Sequence, residues 1–130
     1  MKQALDFLKE AGVFYLATAD QDQPRVRPLG FVMEWDGKLA FCTSNSKNMY
    51  KQLAANSKAE ICAYNGNDIL RVWGTAAFIT SPETQAKALE VMPALGKMYA
   101  VGDGKFEIYC LEDAKATISD MMGNCREIAM

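Results

Sequence analysis

Asp36-Gly37 lies between two runs of alternating side chains, and it restricts the fold more than any other feature of the chain. This dipeptide closes a two-residue β-hairpin, because both positions tolerate the positive φ that such turns require. Upstream, Arg25–Trp35 sets Val26, Pro28, Gly30 and Val32 on one side against Arg27, Leu29, Phe31 and Met33 on the other. It reads as one long strand, with Pro28 and Gly30 marking an edge or a bulge. Lys38–Thr43 is the returning strand. A second turn falls at Asp20–Pro24, after the β-branched and aromatic run Val13–Ala19, which reads as a buried strand. A third turn, Asn65–Asp68, joins strands at Ala59–Tyr64 and Ile69–Thr80, and Phe106–Ile118 is the last strand, bulged near Glu112-Asp113.

Three stretches change to helical period. Lys2–Ala11 places Leu5 and Leu8 on one face before Gly12. Ser44-Asn45-Ser46 supplies N-cap candidates for a helix with an apolar stripe of Met49, Leu53 and Ala54, ending near Asn56. Ser81-Pro82 caps and starts a third helix, carrying Ala86, Leu89 and Val91 toward Pro93. Six strands and three helices result. Hairpin links dominate, so the expected architecture is mainly β, an antiparallel sheet closed as a barrel. No repeat or linker divides residues 1–130, which read as one domain.

Bulk properties narrow the chemistry. The chain has no histidine, which excludes a Ser-His-Asp or Cys-His nucleophile, an HExxH zinc helix and a His-ligated haem. Its four cysteines are widely spaced with no Cys-x-x-Cys, so reduced, structural thiols are expected, with Cys125 the candidate exposed one. No window approaches the ~18 apolar residues of a membrane span. The start of the chain lacks the pattern of a signal peptide, so a cytoplasmic location is expected. An isoelectric point near 5.1 disfavours nucleic acid. The net charge of −2 nonetheless hides an island: residues 25–58 hold six basic groups against two acids, a local +4. That suits a small anionic ligand or, equally, a solvated basic surface.

The island coincides with the most informative segment. A strand ending in Phe41-Cys42-Thr43-Ser44 runs into the start of a helix at Ser46-Lys47-Asn48, where unpaired N–H groups, hydroxyls and a lysine form an anion site. Arg27, on the neighbouring hairpin, is in reach of the same anion with a bidentate fork.

These residues resemble the pyridoxamine 5′-phosphate oxidase-like, FMN-binding split barrels. The resemblance runs from the first helix through Tyr15-Leu16-Ala17-Thr18, Pro24–Pro28, the Asp36-Gly37 hairpin, Phe41–Lys47 and Arg71–Ala76 to the closing strand. Its specific part is the spacing: 16 residues from Arg27 to Thr43 and four from Thr43 to Lys47. It implies a six-stranded antiparallel split barrel that forms a homodimer, binds FMN at the interface and acts on a small redox substrate. Arg27 and Lys47 would then hold the phosphate, with Ser46 and Asn48 at the helix start. Pro28 and Leu29 would lie along the isoalloxazine ring, Thr43 and Ser44 beside the ribityl phosphate. Trp73, near Arg71, would close the site from the partner subunit.

The departures also carry expectations. The resemblance includes no C-terminal extension of the kind that completes the substrate site in pyridoxamine phosphate oxidases, and Asn48 replaces a second basic residue. The histidine that nitroimidazole-resistance reductases place near the flavin has no counterpart. A flavin oxidoreductase other than a pyridoxamine phosphate oxidase is therefore expected. The alternative is a non-enzymatic carrier or sensor of flavin or another phosphorylated ligand. No catalytic residue is assigned. Trp73 and most methionines read as core residues, Tyr50 and Tyr99 as packed aromatics, and Glu112-Asp113 as solvated bulge or turn residues.

Overall fold

The computed structural model describes residues 1–130. Its elements are α1 (Lys2–Ala11), β1 (Phe14–Asp20), β2 (Gln23–Leu29), β3 (Met33–Trp35), β4 (Lys38–Ser44) and α2 (Asn48–Ala55), then β5 (Lys58–Tyr64), β6 (Asp68–Phe78), α3 (Pro82–Val91), a short 3-10 turn (Pro93–Lys97), β7 (Phe106–Asp120) and β8 (Cys125–Ile128). All strand pairs are antiparallel, in the order β2-β1-β5-β6-β7-β4-β3, with β8 added to β7. The architecture is mainly β with three helices, but there are eight strands rather than six.

The two extra strands have separate origins. Arg25–Trp35 is not one strand: the chain leaves the sheet at Gly30–Val32, and β2 and β3 lie at opposite ends of the order. Laid flat, seven strands at ~4.8 Å spacing would put these ends ~29 Å apart. The link between Leu29 and Met33 reaches at most ~14 Å. The sheet must therefore curl until its ends meet, joined by chain rather than by a ladder, which is a split barrel. β8 is short and exposed, and it forms because the end of β7 offers unpaired groups at Ala116–Ser119.

The turns follow their sequences. Asp36 and Gly37 have φ of 51° and 75°, the paired positive values of a two-residue hairpin. β2 begins at Gln23, so the first turn is tighter than expected, and β2 accommodates Pro24 and Pro28 because it is an end strand. The bulge falls at Asp113, φ 51°, where β7 gains one residue against β6. A Cβ on Gly74 would lie 2.8 Å from the Glu112 carbonyl oxygen, so only glycine allows this close approach.

Two apolar clusters flank the sheet. The barrel interior holds Leu16, Phe41, Leu70, Val72 and Tyr109, closed off by Leu5 and Leu8 of α1 and Met49 and Leu53 of α2. Outside, Phe31, Met33, Ala40, Phe106, Ile108 and Cys110 pack beneath Ala88 of α3, Leu95 and Tyr99. β4 and β7 are thus covered on both faces, whereas the outer face of β1, β2, β5 and β6 is bare. Val13 (52% exposed), Tyr15 (49%) and Trp73 (36%) are accordingly not core residues, and β1 is half-buried rather than buried. Helix faces also differ in detail. α3 buries Thr84, Gln85 and Ala88 while Ala86 and Val91 are exposed, and Ala54 of α2 faces solvent. In α3, Gln85 is held inward by bonds to the Phe106 carbonyl (2.8 Å) and the Gly102 N–H (3.0 Å). Met33 and Met49 fill core space, while Met98, Met121 and Met122 are exposed.

Candidate functional site

Arg27 pairs in register with Leu16, a core residue, so the strand's two-residue period turns its side chain toward the barrel side, at the end covered by α2. There Nη1 donates to the Leu16 carbonyl (3.2 Å) and Thr18 Oγ1 (2.9 Å), and Nη2 donates to Gln52 Oε1 (2.6 Å). The Nε–H and the second N–H of Nη2 remain unengaged. Burial pulls the Arg27 pKa below its ordinary value, the Tyr109 side chain opposes this and Arg25 adds to it. The guanidinium stays charged, since its starting value is so high.

The start of α2 differs from expectation. Ser44-Asn45-Ser46 does not cap it. Ser44 Oγ takes the Ser46 N–H (3.3 Å) and bonds the Ser46 hydroxyl (2.8 Å), while Asn45 Nδ2 donates to the Gly104 carbonyl (2.8 Å) and Glu107 (3.2 Å). The N-cap is Lys47, with no side-chain cap bond, so the first N–H groups of α2 stay open. None of the chain's ion pairs involves Arg27, Lys47 or Lys51.

Five of the nine candidate residues line two cavities, Arg27 and Asn48 one of them, Pro28, Leu29 and Lys47 the other. One, of about 840 Å³, lies between the β1–β2 hairpin and α2, and Arg25, Arg27, Asn48, Lys51 and Gln52 line it. Its acid, Asp20, is engaged by Arg25 at 3.1 Å. The other, of about 260 Å³, is apolar: Pro28, Leu29, Gly30 and Phe31 face Met92, Leu95, Met98 and Tyr99, with Cys42 and Lys47 between. Burial pushes the Cys42 thiol up to about 11, against the pull of Lys47. Burial also raises Tyr99, whose ring stacks on Phe106 at 4.4 Å, and Cys42 and Asp103 add to the shift.

Thr43 and Ser44 are buried at the β4–α2 junction, and Ser46 is exposed there; none of the three lines either cavity. Trp73 is not brought to them. It lies in a hollow of about 490 Å³ on the bare outer face, with Lys58, Glu60 and Lys115, three strands (~14 Å) from β2. Sequence reasoning missed Thr18 and Gln52. The available signals were that Thr18 shares a strand face with Leu16, and that Gln52 stands one turn beyond Asn48. All four cysteines are free, with Cys125 exposed. No group of three His, Cys, Asp or Glu side chains is placed to hold a metal, and no helix is long and apolar enough to cross a membrane.

Comparison with known proteins places the fold. A crystal structure of a NimC/NimA family protein from Clostridium acetobutylicum is similar with 42% identity and a TM-score of 0.92, over 98% of this chain and 93% of that one. A pyridoxamine 5′-phosphate oxidase-related, FMN-binding protein from Nostoc punctiforme shares the fold at 15% identity and a TM-score of 0.67, over 99% and 96% of the two chains. A haem-binding protein from Mycobacterium smegmatis does so at 17% identity and 0.72, over 94% of this chain and 57% of that one. No curated protein matches the sequence. The family model for pyridoxamine 5′-phosphate oxidase matches residues 1–112, and the chain belongs to that family.

Proposed function

We propose that residues 1–130 form one FMN-binding domain that works as a homodimeric, cytoplasmic oxidoreductase on a small-molecule substrate. The observation that carries this reading is that Arg27 and Lys51, in the hairpin cavity, and Lys47, in the apolar one, are all unpaired with acids, beside or on a helix whose start no side chain caps. That donor set fits a phosphate. Arg27 offers its two unengaged N–H groups, Lys47 a point charge and α2 its open amides. Ser44 and Ser46, paired to each other, hold the junction before α2. Beside them, Pro28 and Leu29 present an apolar wall for a flat ring. When bound, FMN supplies hydride or single-electron chemistry.

The chain's own residues bind and orient. Cys42, with a pKa near 11, is a neutral thiol at physiological pH and offers no nucleophilic thiolate. Tyr99 keeps its proton well past neutrality. The bare outer face supports dimerisation: Val26 (68% exposed), Tyr15 and Trp73 stand on it, and a second copy would bring Trp73 and Lys58 to a shared site. Four free cysteines suit a reducing compartment.

The absorption spectrum of the protein as purified tests the reading. Yellow protein that releases FMN, not FAD or riboflavin, on acid treatment is expected; colourless protein that fails to take up FMN overturns it. A carrier is the second reading, favoured because burial moves both the Cys42 thiol and the Tyr99 hydroxyl in the apolar cavity further from neutrality. Anaerobic NADH or NADPH divides the two: bleaching faster than that of unbound FMN marks a reductase, and no bleaching favours the carrier.

A further inference from the structure

Gln52 lies four residues after Asn48, on the face of α2 that lines the hairpin cavity. Its Oε1 accepts two hydrogen bonds, from Thr18 Oγ1 at 2.6 Å and from Arg27 Nη2 at 2.6 Å. The hydroxyl of Thr18, a residue only 4% exposed, accepts in turn from Arg27 Nη1 at 2.9 Å. Arg27, Thr18 and Gln52 thus form a closed ring of hydrogen bonds drawn from β2, β1 and α2. Its chemistry is selective. An amide oxygen accepts from a guanidinium without cancelling its charge, whereas a carboxylate there would form an ion pair. The nearest acid lining the cavity, Asp20, is already engaged by Arg25, so nothing neutralises Arg27. A flexible arginine is held in one rotamer with its charge uncompensated, which lowers the ordering cost of meeting an anion.

We propose that Gln52 is a positioning residue: it fixes Arg27 at the cavity wall and thereby sets the preference for phosphorylated over unphosphorylated flavin. The inference rests on the FMN reading above and adds a selectivity determinant to it.

The test titrates FMN and riboflavin, followed by flavin fluorescence, into flavin-stripped wild type and into the Gln52→Glu, Gln52→Leu and Thr18→Ser variants. Gln52→Glu keeps the shape but pairs with Arg27, so FMN affinity falls by about tenfold or more while riboflavin affinity holds. Gln52→Leu releases Arg27 and lowers the FMN-to-riboflavin ratio by about fivefold. Thr18→Ser keeps the hydroxyl and the wild-type ratio. An unchanged ratio in Gln52→Glu, or equal loss of both flavins, shows a merely structural role and overturns the inference. Should Gln52→Leu fail to fold, the near-isosteric Gln52→Glu still decides. If wild type binds FMN and the ratio does not move, this inference alone fails. If wild type takes up no FMN, the functional reading fails and this one with it.

Discussion

The two cavities are lined by neighbouring residues of the chain, yet their chemistry is opposite. Arg27 and Asn48 line the hairpin cavity, while their chain neighbours Pro28 and Lys47 line the apolar one. The first is built from hydrogen bonds: Arg27, Thr18 and Gln52 satisfy one another, and charges not paired with acids remain to receive an anion. The second is built from packing, with Leu95, Tyr99 and Phe31 belonging to the outer apolar cluster. A β-strand makes the switch at no cost in chain length, because successive side chains point to opposite faces. One amphiphilic ligand, charged at one end and flat at the other, suits such a boundary.

The largest expected effect separates the two cations, one from each cavity, from the apolar walls. Arg27→Ala combined with Lys47→Ala removes two charge-assisted contacts of ~1.5–3 kcal/mol each, so FMN affinity measured by calorimetry falls by several kcal/mol. Riboflavin affinity, which lacks the phosphate contribution, changes little; equal loss of both would break the division of labour. Next, Leu95→Ala opens a void in the apolar wall and lowers thermal stability by about 2–4 kcal/mol, with the FMN-to-riboflavin ratio unmoved. A shifted ratio would show that the apolar side also reads the phosphate.

A pH series reports on Cys42 of the apolar cavity, together with Tyr99, Tyr109 and Cys110, whose pKa values burial also raises. Cys42 has a folded pKa of about 11 against an ordinary value of 9.0. Between those values the unfolded chain has lost the proton that the folded chain keeps. Stability is therefore fully present below pH 9 and declines as pH rises toward 11. Cys42→Ala should lessen that decline in urea melts, leaving the part that Tyr99, Tyr109 and Cys110 contribute. The smallest effect belongs to Lys51→Ala. This exposed cation contributes under ~1 kcal/mol to FMN affinity, most at low salt and less once the screening length shortens to ~10 Å near 0.1 M. A large, salt-independent loss would move the phosphate away from Arg27 toward Lys51.

Local signals were legible where the partners of a residue are its neighbours. The Asp36-Gly37 turn, the Ser81-Pro82 start of α3 with its reciprocal Ser81–Thr84 bonds, and the bulge at Asp113 all depend on adjacent backbone. The break at Gly30–Val32 was not legible, because alternation continues through it. Phe31 belongs to the outer cluster and Val32 to the interior one, so each residue is satisfied as it would be in a strand. The N-cap of α2 was misread for a related reason. Ser44 and Asn45 have the right chemistry, but Asn45 finds better partners in Gly104 and Glu107, some sixty residues away.

The sequence by itself determined the three helices, the strands other than the β2–β3 break and β8, where the tight turns fall, and that the segment around α2 is cationic, since period, turn residues and charge are properties of neighbouring positions. Tertiary structure alone decided the rest. A three-residue link, too short to span a flat sheet, curls it and separates β2 from β3. That curl brings Thr18, Arg27 and Gln52 from three elements into one hydrogen-bonded ring, sends Arg27 and Pro28 into different cavities, and leaves Trp73 on a bare face. These outcomes depend on pairing and packing over long separations, which no local period encodes.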